Sequence, residues 1–194
     1  MAKVILLHSA QGLRPGVEAW AERLRGAGHE VWAPDLFEGR TFDTLEEGIA
    51  HRDELGVPEL MRRAEAALAG LPDDVVYAGF SMGAASAGYY AATRSGCRGA
   101  VLISGVTPLA RFGVEAWPAG VGAQVHFTAE DPQVDRSGVA EFEDTLDAAR
   151  ARLEIHVYPG SGHLFADPDS PGYDAAAAEL MLARVLEFLS RLGA

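Results

Sequence analysis

The 194-residue chain has a single cysteine, Cys97, and a single lysine, Lys3. A lone cysteine leaves no internal disulfide framework and fits a reducing compartment. Cations are scarce altogether: 16 Lys and Arg against 28 Asp and Glu give a net charge of -12. That balance argues against nucleic acid and anionic membrane partners, both of which attract basic patches. It also disfavours highly charged anionic substrates. No apolar run is long enough to span a bilayer, and the one within residues 1–8 is too short for a signal peptide. The expectation is a cytoplasmic protein, with a periplasmic location left open. Two nucleotide signatures, G-x-G-x-x-G and G-K-[ST], are missing as well.

What remains is an ordinary globular composition, 48% hydrophobic and 23% charged, with a length that suits one domain over residues 1–194. Short apolar runs alternate with helical periodicity. Val4-Ile5-Leu6-Leu7, Val31-Trp32-Ala33, Val75-Val76-Tyr77-Ala78, Gly99-Ala100-Val101-Leu102-Ile103, residues 123–128 and residues 153–158 read as about six strands. Helices are expected over residues 17–27, from Pro58 to Gly70, from just after Ser81 to about Arg94, near residues 139–152 and over 173–192. Residues 36–57 read as a long, charged loop, and residues 104–122 as an irregular stretch with exposed aromatics Phe112 and Trp117. Strands alternating with helices imply an α/β fold, a mostly parallel, doubly wound sheet with helices on both faces.

The stretch Gly79-Phe80-Ser81-Met82-Gly83 follows one of these strands and precedes a small-residue helix. G-x-S-x-G in strand–turn–helix context is a nucleophile elbow, whose tight turn lifts the serine hydroxyl above the sheet edge. The two glycines are expected to be steric requirements, because side chains there would collide across the turn. A serine needs a base and a carboxylate to orient it. His126 and His156 fall inside strands, His29 in a surface turn, His51 in the long loop, and His8 precedes the serine. His163 follows the last strand in a glycine-rich turn, so it is the expected base. Asp131, after the preceding strand and pinned by Pro132, is the favoured acid; Glu130 and Asp135 are its neighbours and alternatives. Oxyanion donors are expected from the N–H groups of Met82 and Ala10.

Ala33-Pro34-Asp35-Leu36-Phe37-Glu38-Gly39-Arg40, Glu130-Asp131-Pro132-Gln133-Val134 and Tyr158-Pro159-Gly160-Ser161-Gly162-His163-Leu164-Phe165-Ala166, together with the elbow, resemble the dienelactone hydrolase family of α/β-hydrolases. The resemblance implies a minimal α/β-hydrolase fold of six strands in the order 2-1-3-4-5-6, an acid at Asp131 and a base at His163; residues 104–122 are too few for a folded lid domain, so an open cleft is expected. Three departures stand out. Family members proper use a cysteine where this chain has Ser81, a glutamate where Ser9 stands, and an arginine after the histidine where Asp167 stands. The expected chemistry is therefore that of a serine esterase acting on a small ester or lactone, without metal or cofactor. Acyl transfer, thioester cleavage and a non-catalytic binding role are the rivals. Ser9, Gln11, Phe37, Trp117, Leu164 and Asp167 are the expected substrate-lining residues, with Asp167 repelling anionic substrates at the mouth. Whether the chain is a monomer or a homodimer is left undetermined.

Overall fold

Three strands, β1 (Lys3–Leu7), β3 (Val76–Phe80) and β4 (Gly99–Ile103), are apolar on both sides, the composition of strands covered on both faces. In the computed structural model, which describes residues 1–192, they form the centre of a six-stranded sheet. β2 (Glu30–Trp32), β5 (Gly122–Thr128) and β6 (Leu153–Tyr158) complete it in the order β2-β1-β3-β4-β5-β6. Every pairing is parallel, so the expected order is met and no antiparallel strand is present among the described residues.

Alternation along the strands divides the core in two. Val4, Leu6, Val76, Ala78 and Phe80 face α1 (Pro15–Gly26) and α5 (Ala175–Leu192), where Trp20, Met181 and Phe188 meet them. Ile5, Leu7, Tyr77 and Leu102 face the other way, toward α2 (Leu45–Leu68), α3 (Met82–Thr93) and α4 (Arg136–Ala148) through Leu68, Tyr90 and Phe142. All six strands point their carboxyl ends to one edge, and the turns after β1, β3, β4, β5 and β6 gather there.

Two stretches differ from the sequence expectation. The charged segment before Pro58 is largely helical, because Thr44 and Glu47 form a capping box that starts α2 at Leu45. Gly56 (φ 74°, ψ 157°) breaks that helix two residues before Pro58, so α2 is two helical segments in succession. Trp117 is buried rather than exposed: its ring packs edge-on against Phe142, and its indole N–H donates to the Val121 carbonyl at 2.6 Å.

His126 sits on β5 with no exposed surface, between the Tyr158 hydroxyl (2.9 Å) and the Gln124 amide oxygen (3.1 Å). Burial, aided by His156 of β6 and Arg184 of α5, pushes its pKa well below the ordinary value. An imidazole held neutral in the folded state binds its proton more readily once unfolded. Its contribution is therefore full above about pH 6.5 and is lost as the pH falls below that value. The unfolding free energy from denaturant titration should fall steadily from pH 6.5 to 5, and His126→Gln should flatten that slope by up to about 1.4 kcal/mol per pH unit. A variant with the wild-type slope would show that other groups carry the effect.

Candidate active site

At the end of β3 the chain turns so sharply that Ser81 takes a left-handed backbone, φ 52° and ψ -108°. Its N–H donates to the Ile103 carbonyl at 2.7 Å, and its carbonyl accepts from Ala84 and Ala85 at 2.9 and 3.2 Å. Two glycines permit this geometry. A Cβ on Gly79 would run into the Gly83 carbonyl, the collision expected across the turn. A Cβ on Gly83 meets something else, the carbonyl oxygens of Leu7 and His8 at the end of β1. The second glycine therefore lets the first turn of α3 lie on the neighbouring strand.

His163 reaches Ser81 from the other side. Its Nε2 lies 2.8 Å from Ser81 Oγ, and its Nδ1 lies 2.8 Å from Asp131 Oδ2. The other oxygen of the Asp131 carboxylate accepts the Gln133 N–H at 2.9 Å, which fixes the plane of the group. Backbone bonds tie the two turns together: Ala129 N–H to the Tyr158 carbonyl at 2.7 Å and Glu130 N–H to the Gly160 carbonyl at 2.9 Å. The Thr128 hydroxyl adds a bond to the Gly162 carbonyl at 3.1 Å. The Arg136 guanidinium covers the Phe127 ring at 4.3 Å and donates to the Ala129 carbonyl at 2.6 Å, which steadies the turn before Asp131. Glu130 is exposed, and Asp135 is occupied as the N-cap of α4 and the partner of Arg111. Among the three acidic candidates, Asp131 is the one in contact with the imidazole.

The loop after β1 carries Ala10 to the same edge. Ser9 Oγ accepts the Gln11 N–H at 3.1 Å, and the Gln11 side chain donates to the Phe42 and Asp43 carbonyls at 3.2 and 2.9 Å. Gly48 of α2 allows the Ala10 carbonyl to press against that helix, which sets the direction of the peptide. Neither the Ala10 N–H nor the Met82 N–H is taken up among the described turn and loop bonds. Met82 opens α3, so its N–H belongs to the electropositive end of a helix.

A cleft of about 490 Å³ opens over Ser81 and His163. Leu60 and Met61 of α2, Tyr89 of α3, and Val106 and Phe112 from the segment after β4 supply its apolar surface. The expected lining residues are elsewhere. Phe37 is sealed among the rings of His8, Phe42 and His51, Trp117 belongs to the core under α4, and Leu164 belongs to the core under α1 and α5. Ser9 and Gln11 are buried behind Ala10 as braces of its loop. Asp167 is buried too, accepting the Asp169 N–H at 2.9 Å and packing against Gly16 at the start of α1. It does not reach the cleft mouth, so the repulsion expected of it has no geometric basis.

The walls were missed because the stripe Leu60, Met61, Ala64, Leu68 reads as one core-facing helix surface. In the fold, Leu68 is buried in the core while Leu60 and Met61, half-buried, and the buried Ala64 line the cleft. Two arginines also border it. Arg52 pairs with Asp53 at 2.6 Å and Arg111 with Asp135 at 3.0 Å. Among the described residues no group of three or more His, Cys, Asp or Glu is placed to hold a metal ion, and no helix is long and apolar enough to cross a membrane.

Comparison with known proteins bears on this geometry. The sequence model of the dienelactone hydrolase family matches residues 1–193. A protein of Escherichia coli strain K12 named as a carboxymethylenebutenolidase is 36% identical over 67 residues, 34% of this chain and 25% of that protein. The matched stretch thus spans about a quarter of the curated relatives' length. Among solved structures, a dienelactone hydrolase-like promiscuous phosphotriesterase from metagenomic libraries has a TM-score of 0.80 at 22% identity, covering 99% of this chain and 87% of that one. Esterase 2 of Thermogutta terrifontis with bound propionate has a TM-score of 0.63 at 17% identity, covering 96% and 83%. At such identities the structures establish a shared fold, the α/β-hydrolase architecture.

The buried position of Asp167 generates a test of its own. Its carboxyl is pushed above the usual range by burial, although the Asp169 N–H and Arg14 oppose that shift. Asp167→Ala should cost about 1 kcal/mol of stability through the lost turn bond, whereas Asp167→Asn should keep most of it. Denaturant unfolding of both variants checks this; equal loss in both would mean that the charge, not the bond, matters.

Proposed function

We propose that this chain, which belongs to the dienelactone hydrolase family, is a serine hydrolase that cleaves a small carboxylic ester or lactone through an acyl-enzyme. The observation that carries the reading is the unbroken relay of two 2.8 Å contacts, from Ser81 Oγ through the His163 imidazole to Asp131. In this reading Ser81 Oγ attacks the substrate carbonyl while His163 Nε2 takes its proton. Asp131 holds the Nδ1–H tautomer and stabilises the imidazolium that forms. The N–H groups of Met82 and Ala10 receive the developing oxyanion. His163 returns the proton to the leaving alcohol, and water then releases the acid by the same steps in reverse order.

The cleft supports a neutral, largely apolar substrate. Its volume suits a small molecule, and each of the two arginines at its border is held by a carboxylate. The curated relatives carry the name of an enzyme acting on a lactone, and the Thermogutta neighbour is an esterase. Both names agree with carboxylic ester chemistry for this chain.

Ser81→Ala is expected to leave the fold intact and lower kcat/KM for a p-nitrophenyl ester by about 10⁴- to 10⁶-fold. Asp131→Asn should give a folded protein with a strong turnover defect, and Asp135→Asn should be nearly silent. Labelling by a fluorophosphonate should occur in the wild type and vanish in Ser81→Ala. An unlabelled, inactive wild type would instead favour a binding protein on a hydrolase scaffold.

The paired arginines give a second test. Asp53→Asn removes the partner of Arg52 without changing the size of the side chain. It should raise kcat/KM for a carboxylate-bearing ester several-fold over its neutral match, with the gain shrinking as salt is added. No change in the ratio would place Arg52 outside the substrate's reach.

A further inference from the structure

Two serines stand side by side at the carboxyl edge of the sheet. β3 and β4 pair in parallel with Phe80 opposite Ile103, so Ser81 and Ser104 are the first residues past the ends of two strands that lie about 4.8 Å apart. Both have left-handed backbones, φ 52° and 59°. Each N–H donates at 2.7 Å to the strand beyond, Ser81 to Ile103 and Ser104 to His126. Ser104 is 1% exposed, and its Oγ has no protein partner among the described residues. It borders the cleft that holds Ser81 and His163. Gly105 follows, with space for a Cβ only 3.8 Å from the Ser81 Cα, so no side chain stands between this turn and the elbow.

Sheet order decides what this hydroxyl faces. Ala10, after β1, lies on one side of Ser81; Ser104, Asp131 and His163 come from β4, β5 and β6 on the other. In the serine hydrolase reading, on which this inference rests, the carbonyl oxygen points toward Met82 and Ala10. The group exchanged at the acyl carbon must stay within reach of His163 Nε2, on the Ser104 side. We propose that Ser104 Oγ accepts a hydrogen bond from the water that attacks the acyl carbon in deacylation. In this step the water oxygen bonds to the acyl carbon, one proton passes to His163 Nε2, and the other O–H donates to Ser104 Oγ. The tetrahedral intermediate then expels Ser81 Oγ, which recovers the proton from His163, and the carboxylic acid leaves. Water has a second O–H for Ser104, and methanol does not. The hydroxyl therefore favours hydrolysis over transfer to alcohols.

Rapid-mixing kinetics with p-nitrophenyl butyrate, with and without methanol, test this in Ser104→Ala. Deacylation should slow about tenfold, equivalent to ~1.4 kcal/mol, with a smaller change in the burst rate. The ratio of methanolysis to hydrolysis should rise at least threefold, and the unfolding temperature should hold or increase. Ser104→Gly, free of the left-handed penalty, should give the same shift if the alanine variant folds poorly. An unchanged partition ratio in a labelled, burst-competent enzyme overturns the role of Ser104 alone, even if all rates fall together. A wild type without fluorophosphonate labelling or burst overturns the serine hydrolase reading and this one with it.

Discussion

No side chain fits between residue 83 and the end of β1, and the geometry of the whole edge follows from that contact. Gly83 brings the first turn of α3 onto the carbonyls of Leu7 and His8. The same approach sets Met82, the first residue of α3, at the edge to which the turn after β1 carries Ala10. It also forces the strand-to-helix turn into so few residues that Ser81 must adopt a left-handed backbone. A non-glycine residue in such a region costs about 1–3 kcal/mol. That cost is tolerable because the flanking elements are anchored independently: Tyr77 and Phe80 enter opposite cores, and Tyr90 holds α3 to the sheet.

Around this elbow, the three contacting side chains are held by different kinds of interaction. Ser81 is held by backbone strain and packing, whereas His163 and Asp131 are held by a set of hydrogen bonds between neighbouring turns. The residues just after His163 explain why its turn stays put. Phe165 stacks on Tyr158 at 4.8 Å, and Trp20 of α1 donates its indole N–H to the Ala166 carbonyl at 2.6 Å. Leu164, read from sequence as a wall of the cleft, is part of this anchor.

The strands and the elbow were legible in the sequence because each rests on a local cause. A buried strand shows as an apolar run, and the elbow shows as two glycines at fixed offsets from a serine. The contact of His163 with Asp131 and Ser81 was legible for a related reason, since each lies in the turn after a strand whose end the topology delivers to one edge. The capping box at Thr44 and Glu47 was equally local, but the surrounding charge masked it as loop. Phe37, Trp117 and Asp167 were misplaced on a different ground. Aromatic character or, for Asp167, proximity to His163 says nothing about which way a side chain points, and these three turn into the protein body. Ser104 carried no sequence signal at all; its relation to Ser81 exists only through the register of β3 and β4.

The division between strand ends and walls has a consequence for how such a site can vary. Ala10, Ser81, Ser104, Asp131 and His163 come one each from the turns after β1, β3, β4, β5 and β6, so their spacing is fixed by the strand spacing of the sheet. The apolar walls come from α2, α3 and the 104–121 segment. α2 is already broken at Gly56, and the segment after β4 is held as a short 3-10 turn over Leu109–Phe112 rather than as regular structure. Replacing Leu60, Met61 or Phe112 alters the shape offered to a substrate without touching a hydrogen bond that positions Ser81 or His163. In the serine hydrolase reading, the chemistry of this edge and its choice of substrate are therefore physically separable, the first set by register and the second by helix surface.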